Sequence, residues 1–264
     1  MTANFLGNVT AMILTYNEAP NIDRTLSKLG ALRRIIVIDS GSNDGTQEII
    51  ARHGNAEVFV RAFDNFAGQC NFGLALARLD TDWVLALDAD YVLSDDLLNE
   101  LAMLVPPDDV VGYRAHFRYA IFGHAIRSGV YPAHVVLLRK QRAHYAQNGH
   151  SQKVVVDGQI EDLSACIYHD DRKPLARWLE SQKSYAGHEA DHLEQDARGT
   201  LRWQDRIRLM VGVAPPLMFL YVYLIRGGFL DGRHGLYYAL QRAYAELLLS
   251  LELLDRRLRP RAGR

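Results

Sequence analysis

Short apolar runs alternate with polar, helix-like segments through the first hundred residues. The runs have the length of β-strands, and most of their positions are apolar, which is typical of strands buried on both faces of a sheet. They occupy residues 9–15, 34–39, 57–62 and 83–88. Segments with helical composition follow the first three runs. This order predicts a parallel α/β sheet with crossover helices.

The second half of the chain changes character twice. We expect further strands first, then a long polar helix, and then segments rich in leucine and tyrosine. The strands are predicted at 110–119, 135–139 and 163–168, the polar helix at 174–195, and the apolar segments at 209–225 and 235–258. We therefore predict a catalytic domain over 1–172, with halves 1–100 and 101–172, and a C-terminal helical region over 173–264.

Composition narrows the classes of partner. The chain has 264 residues, 48% of them hydrophobic, and a formal net charge of −1. Such a charge gives no basic field for nucleic acid, so no nucleic-acid partner is expected. Cys70 and Cys166 lack metal-type spacing and are interpreted as reduced core residues. The first residues show no secretory signal, and we expect a cytoplasmic location.

Polar motifs stand where three of the apolar runs end. Tyr16-Asn17-Glu18 follows the first, the small and polar stretch 40–46 follows the second, and Asp88-Ala89-Asp90 follows the run 83–88. In open α/β sheets, ligands bind outside the carboxyl ends of the strands. Two carboxylates at such an end suit a divalent cation and its phosphates. Alternatively, both aspartates are turn and capping residues before a helix near Ser94.

In this order and spacing, the three motifs resemble the family 2 glycosyltransferases of the GT-A fold. The closest resemblance is to small enzymes that add a hexose to the lipopolysaccharide inner core, and it continues through 127–132 and 228–232. It implies a Rossmann-like, mostly parallel α/β sheet with a membrane-associated helical appendage. It also implies metal-dependent, inverting transfer of a hexose from a nucleotide sugar, with UDP-hexose as the expected donor. The implied acceptor is a lipid-linked saccharide such as lipopolysaccharide core.

The resemblance also assigns residues to the donor and metal sites. The implied cofactor is Mn²⁺ or Mg²⁺, and the implied metal ligands are Asp88, Asp90 and His169. Asp39 would accept a hydrogen bond from a ring N–H of the base. The expected nucleotide-sugar contacts are Thr15, Tyr16, Asn17, Glu18, Asp39, Gly41, Ser42, Asp44, Gln69, Asn71, Asp88, Arg127 and Gly129. For Gln69 and Asn71 a surface position on their helix is the alternative.

The catalytic base is the least defined assignment. An inverting transfer needs a group that takes the proton of the acceptor hydroxyl. The related core transferases carry a His-Glu pair where this chain has His150-Ser151-Gln152, so His150 is the first candidate. Asp170 and Asp171, beside the expected ligand His169, are the second. Glu161 and Asp162 are a third choice, with a hairpin-surface role as the alternative.

The C-terminal segments predict a membrane surface as a partner. Apolar helices flanked by arginines suit a membrane interface with anionic headgroups. The run 209–225 is broken by Gly212 and Pro215-Pro216 and is too short to span a bilayer. We therefore expect a peripheral location at the inner face of the cell membrane. The alternative is a helical pair packed on the catalytic domain or on a second subunit.

Two other functions remain open at this point. The string Asp88-Ala89-Asp90-Tyr91-Val92 fits a DxDxV-type phosphatase, although that nucleophile normally lies on the first strand of its domain. The missing glutamate after His150 leaves room for a scaffold that has kept the fold and lost the chemistry. Metal-dependent binding of a nucleotide sugar separates the transferase from the phosphatase, and turnover separates it from the scaffold.

Overall fold

The computed structural model describes residues 4–76, 81–148, 151–195 and 203–259. The strands are β1 Val9–Thr15, β2 Arg34–Asp39, β3 Ala56–Val60, β4 Trp83–Asp88, β5 Tyr91–Leu93, β6 Val110–Ile121, β7 His124–Ala125, β8 His134–Arg139, β9 Ala143–Asn148, β10 Ser151–Val156 and β11 Gln159–His169. The α-helices are α1 Ile22–Ser27, α2 Thr46–Ile50, α3 Phe66–Ala75, α4 Asp95–Ala102, α5 Leu175–Gln195, α6 Trp203–Leu209, α7 Ala214–Leu220 and α8 Gly232–Leu258. A π-helical turn, Tyr221–Ile225, continues α7, and a 3₁₀ turn, Gly228–Asp231, precedes α8.

The chain divides into two compact units. The first, called here the sheet unit, comprises Met1–Gly123 and Tyr131–Arg172. The second, called the helical unit, comprises His124–Val130 and Lys173–Arg264. The helical unit therefore includes a short segment that the chain contributes between two strands of the sheet unit.

The sheet unit is built on one mixed sheet with the strand order β3-β2-β1-β4-β8-β6-β11-β5. The first four strands in this order are parallel, as the alternation of strands and helices predicts. β8 runs antiparallel to both β4 and β6, whereas β11 is parallel to β6. The short strand β5 closes one edge, antiparallel to β11. β9 and β10 form a separate hairpin.

The central strands are apolar at successive positions because both faces of the sheet are covered. Ala11 and Ile13 of β1 point into the cluster that includes Ile22 of α1. Met12, between them, belongs to the cluster on the opposite face, which includes Cys70 of α3. A strand with two buried faces has no solvent side, so alternation is absent from its sequence.

The helical unit packs one side of α8 against α5. Leu249 and Leu253 of α8 share a buried cluster with Ala190 and Leu193 of α5. The opposite side of α8 is apolar and exposed. Its exposed residues are Leu236, Leu240, Tyr244, Leu247, Leu251, Leu254 and Leu258, which we call the leucine stripe. Within the described ranges, no helix is long and apolar enough to cross a membrane.

Candidate active site

The carboxyl ends of β1, β2 and β4 meet at one edge of the sheet. In the register of the parallel strands, Thr15 lies opposite Asp39, and Leu14 lies opposite Asp88. The polar motifs that follow these strands therefore leave the sheet side by side. This is the edge at which open α/β sheets bind their ligands.

The loops after β1 and β2 are joined by side-chain hydrogen bonds. The Asn17 backbone N–H donates to Ser42 Oγ at 2.8 Å, and Asn17 Oδ1 accepts from the Asn43 N–H at 2.9 Å. The Glu18 N–H donates to Thr46 Oγ1 at 2.8 Å. Asn17 takes a left-handed backbone conformation with a φ of 55°. The two loops thus form one polar rim, because each satisfies backbone groups of the other.

Asp39 builds this rim from beneath. Its carboxylate is buried and accepts from the N–H groups of Gly41 at 3.0 Å and Ser42 at 2.8 Å. Gln47 Nε2 and Ser42 Oγ also donate to it. Gly41 has a φ of 93°, which glycine adopts without strain. These bonds give Asp39 a structural role in the loop, and its predicted contact with a base stays a prediction.

Asp44 is held as an anion on the same rim. Burial alone would raise the pKa of Asp44, but hydrogen bonds from Thr46 and Ala19 outweigh burial and leave that pKa below its ordinary value. The Ala19 N–H donates to Asp44 Oδ2 at 3.1 Å. Asp44 therefore joins the two loops rather than standing alone in solvent.

Tyr16 and Thr15 offer surface for a ligand at this edge. The Tyr16 side chain is 50% exposed, and an aromatic face of that kind can stack on a nucleobase. Thr15 Oγ1 is buried and has no hydrogen-bond partner among the residues described. A buried hydroxyl of this kind is costly unless a ligand or water satisfies it.

The Asp-Ala-Asp turn between β4 and β5 brings Asp90 to His169. Asp90 Oδ2 lies 3.1 Å from His169 Nε2, and Asp90 is only 8% exposed. The pairing of β5 with β11 sets this distance, because Tyr91 lies opposite His169 in the register. Residues 79 positions apart in the chain thus meet as the sequence predicts for a shared site.

Three tyrosines surround the imidazole of His169. Tyr119 stacks on it with ring centroids 4.5 Å apart, and Tyr91 and Tyr131 approach edge-on at 5.3 and 4.9 Å. The Tyr91 and Tyr131 hydroxyls are 2.6 Å apart. Burial lowers the pKa of His169, but the Asp90 carboxylate outweighs it and leaves that pKa above its ordinary value. Sequence reasoning missed these tyrosines, although Tyr91 directly follows Asp90.

The fit of a metal ion to this site can be tested on its donor groups. Asp90 and His169 supply one carboxylate and one imidazole, whereas Asp88 does not complete a cluster with them. Among the described residues, no group of three or more His, Cys, Asp or Glu side chains is arranged to hold a metal. Mg²⁺-type cations take one or two carboxylates and complete their shell with water and substrate phosphates. The pair therefore fits a cation shared with a diphosphate and does not form an all-protein cage.

Asp170 is surrounded by donors that favour a structural role over the predicted role as base. Its Oδ2 accepts from Arg24 Nη1 at 2.7 Å and from Arg172 Nε at 2.9 Å. Its Oδ1 accepts from the Gly123 N–H at 3.1 Å. A carboxylate paired with two guanidinium groups holds its negative charge tightly and is a weak proton acceptor.

The other candidates for the base have different surroundings. Asp171 Oδ1 accepts from Asn21 Nδ2 at 2.8 Å and is half-buried. Asp162 forms a bidentate ion pair with Arg114, with distances of 2.6 and 2.9 Å. His150, the first candidate, lies outside the described residues.

Gln69 and Asn71 of α3 are bonded to the protein itself. Asn71 donates to the Tyr145 carbonyl at 2.7 Å and accepts from the Tyr145 N–H at 2.9 Å. Gln69 is buried, donates to Ser40 Oγ at 3.1 Å and accepts from Arg61 at 2.9 Å. Neither arrangement is the surface position considered as the alternative. The bonds make both side chains structural, and their donor contacts stay predictions.

The remaining two candidates, Arg127 and Gly129, belong to the helical unit. Arg127 is exposed. The Gly129 carbonyl accepts from Arg226 Nη2 at 3.1 Å.

Comparison with known proteins gives the same classification as the motifs. Residues 10–148 match the model of the family described as glycosyl transferase family 2. A lipopolysaccharide core biosynthesis glycosyltransferase, LpsC of Rhizobium meliloti, is 25% identical over 253 residues, which is 88% of each chain.

Two solved structures illustrate the more distant similarity. Staphylococcus aureus TarS 1–349 in complex with UDP-GlcNAc is 13% identical over 95% of this chain and 91% of that chain, with a TM-score of 0.46. Glucosyl-3-phosphoglycerate synthase from Mycobacterium tuberculosis, in complex with Mn²⁺, UDP and glucosyl-3-phosphoglycerate, is 14% identical over 68% of this chain and 77% of that chain, with a TM-score of 0.42.

The match to the family model covers more than half of the chain and includes the motifs that end β1, β2 and β4. It confirms the predicted family and the predicted class of enzyme. The chain belongs to glycosyl transferase family 2 and is a glycosyltransferase.

Proposed function

We propose that this glycosyltransferase moves a hexose from UDP-hexose to a lipid-linked saccharide at a membrane surface. The observation that carries the proposal is the meeting of Asp90 and His169 at the edge where β1, β2 and β4 end. A nucleotide sugar brings a diphosphate, and this pair fits a cation that the diphosphate shares.

Residues of the chain divide the work of binding the donor. Tyr16 stacks on the base, and the rim of Asn17, Ser42 and Asp44 borders the nucleoside. Asp90 and His169 hold Mn²⁺ or Mg²⁺, with Asp88 placed for ribose or a metal-bound water. When bound, the cation neutralises negative charge that develops on the departing diphosphate.

The aromatic group around His169 keeps this site dry. Burial, with a smaller contribution from Asp88, raises the pKa of Tyr91 far above its ordinary value, so its hydroxyl stays neutral. Tyr91 and Tyr131 are therefore available as hydrogen-bond partners rather than as charges. Excluding water protects the activated sugar from hydrolysis before the acceptor arrives.

The base acts on the acceptor hydroxyl. We retain His150 as the first candidate and Asp171 as the second, because Asp170 is committed to Arg24 and Arg172. Attack on the face opposite the departing diphosphate inverts the anomeric centre, and the base removes the hydroxyl proton as the new bond forms.

The lipid-linked acceptor is supported by the similarity to LpsC and by the surface of the helical unit. That surface includes the leucine stripe and the exposed side chains of the α7 region, Leu217, Leu220, Leu224 and Ile225. Exposed arginines stand beyond both ends of the stripe, at Arg233 and Arg257. Apolar faces bounded by cationic groups bind in the interface of anionic membranes.

The donor is identified by measuring hydrolysis of a nucleotide-sugar panel with Mn²⁺, Mg²⁺ or EDTA. We expect slow, metal-dependent hydrolysis of a UDP-hexose that is lost in Asp90→Ala. Asp95→Ala is the matched control, because that exposed aspartate pairs with Lys28 on the surface of the sheet unit. If no nucleotide diphosphate binds with either metal, the proposed donor site is wrong.

Membrane binding has a separate test. Wild-type protein should sediment with phosphatidylglycerol vesicles and not with phosphatidylcholine vesicles at low salt. Leu240→Glu and Leu247→Glu in the leucine stripe should abolish sedimentation, whereas Met103→Glu, at an exposed apolar residue of the sheet unit, should not. Equal sedimentation of all variants would exclude the stripe as the membrane surface.

A further inference from the structure

The motif 228–232 has a structural task that the proposed function does not use. It lies in the helical unit, and so does the segment His124–Val130, although the chain on either side of that segment belongs to the sheet unit. The contacts between the motif and the segment concentrate on one carboxylate, that of Asp231.

Asp231 holds the backbone of the segment through a single oxygen. Its Oδ2 accepts from the Arg127 N–H at 2.9 Å, from the Ser128 N–H at 3.1 Å and from Ser128 Oγ at 2.9 Å. Asp231 is 8% exposed, and Ser128 is fully buried. Hydrogen bonds to an ionised acceptor are stronger than neutral ones, so this carboxylate fixes two successive residues.

Two further side chains hold the rest of the segment. Tyr238 of α8 accepts from the Val130 N–H at 3.0 Å. Arg226 donates to the Gly129 carbonyl at 3.1 Å. The backbone from Arg127 to Val130 is thus bonded, residue by residue, to side chains between 226 and 238.

Close backbone packing places Asp231 where it can do this. A Cβ at Gly235 would lie 2.0 Å from the Gly228 carbonyl oxygen and 2.8 Å from Asp231 Cβ. A Cβ at Gly228 would lie 2.9 Å from the Val222 carbonyl oxygen. The turn before α8 is therefore compact because both positions lack a side chain.

We propose that Asp231 is a positioning residue for donor binding, which it supports by fixing the backbone of Arg127 so that the exposed guanidinium is presented to the diphosphate in one orientation. This rests on the proposed function, because the diphosphate belongs to the nucleotide sugar. Asp231 touches no substrate itself and acts through Arg127. An ordered guanidinium loses less conformational entropy when it binds an anion than a mobile one does.

The kinetic test is a double-mutant cycle on the full-length protein. Arg127→Ala and Asp231→Ala should each raise the donor KM about tenfold or more, since each removes a charge-assisted contact or its support. The double variant should have a KM no higher than Arg127→Ala alone, because one change already removes what the other supports. Asp231→Asn keeps an acceptor oxygen and should restore most of the affinity.

A matched control separates positioning from general stability. Glu246 is another buried carboxylate of α8, and it pairs with Arg208 at 2.7 Å. Glu246→Gln should lower the melting temperature without raising the donor KM. If Glu246→Gln raises KM as much as Asp231→Ala, or if the two alanine effects add, the positioning role is wrong.

Hydrogen exchange tests the same contacts without any substrate. The amides of Arg127, Ser128 and Val130 should exchange faster in Asp231→Ala and unchanged in Glu246→Gln. Faster exchange together with no turnover of any nucleotide sugar by the wild type would refute the proposed function and leave the contacts standing. Unchanged exchange in Asp231→Ala would overturn the inference itself.

Discussion

Replacing Asp170 by asparagine distinguishes a structural ion pair from a catalytic base. The Asp170 side chain is 5% exposed and lies 2.7 Å from Arg24 Nη1 and 2.8 Å from Arg172 Nη2. Asparagine keeps the shape and one acceptor oxygen but removes the charge that both guanidinium groups face. Arg24 then lies in a largely buried position with its main counter-charge gone.

The magnitude follows from the burial of the partners. Breaking a buried ion pair by removing one member costs about 3–5 kcal/mol of unfolding free energy. The Arg24 and Arg172 side chains are 24% and 37% exposed, so water partly screens them and the lower end applies. We expect a loss of about 3 kcal/mol, which in a chain of this size lowers the melting temperature by about 6–12 °C.

Fluorescence of Trp83 reports on this loss in the sheet unit. Trp83 is buried there, whereas the other tryptophans, Trp178 and Trp203, lie in the helical unit. Urea unfolding is followed in a Trp178→Phe, Trp203→Phe background, with and without Asp170→Asn. Asp171→Asn is the control, because that aspartate has a hydrogen bond to Asn21 at 2.8 Å and no comparable cluster of arginines.

The stability and activity of the two variants together decide the question. We expect Asp170→Asn to be destabilised and Asp171→Asn to change stability by about 1 kcal/mol or less. If Asp170→Asn unfolds at the wild-type urea concentration while kcat falls about a hundredfold or more, Asp170 is the base and its structural assignment is wrong.

Three further outcomes are expected. Asp90→Asn should weaken Mn²⁺-dependent UDP binding in calorimetry at least about tenfold, and unchanged binding would remove Asp90 from the metal site. Asn71→Ala breaks two hydrogen bonds to the Tyr145 backbone and should lower the unfolding free energy by about 1–3 kcal/mol with the donor KM unchanged; a raised KM at wild-type stability would restore Asn71 to the donor site. Gly235→Ala forces a contact with the Gly228 carbonyl and should lower the melting temperature of the helical unit, monitored by Trp178 fluorescence, and a wild-type melting curve would contradict the close packing.

The parallel half of the sheet could be predicted because its information is local. The runs that form β1, β2 and β4 are apolar throughout, and each ends in polar residues. The bounds of the helices were less accurate. The first was expected to extend to about Leu29 and ends at Ser27, and α3 ends at Ala75 rather than near Leu79. Helix ends depend on capping and packing that periodicity does not contain.

The mixed half of the sheet and the structural roles of several candidates depend on distant contacts. Nothing near Asp170 in the sequence indicates that Arg24, 146 positions away, pairs with it. Likewise, the bond between Asn71 and the Tyr145 backbone joins α3 to a hairpin 74 positions later. A polar side chain at a predicted ligand edge looks the same in sequence whether it binds a ligand or another strand.

The placement of His124–Val130 in the helical unit affects how this enzyme can be recombined with its relatives. The chain passes between the two units three times, after residues 123, 130 and 172. A chimaera that exchanged only the region after 172 would join Asp231 of one parent to the Ser128 segment of the other. Two stretches that are far apart in the gene must therefore be inherited together, and a compensating change in one should appear in lineages where the other has drifted.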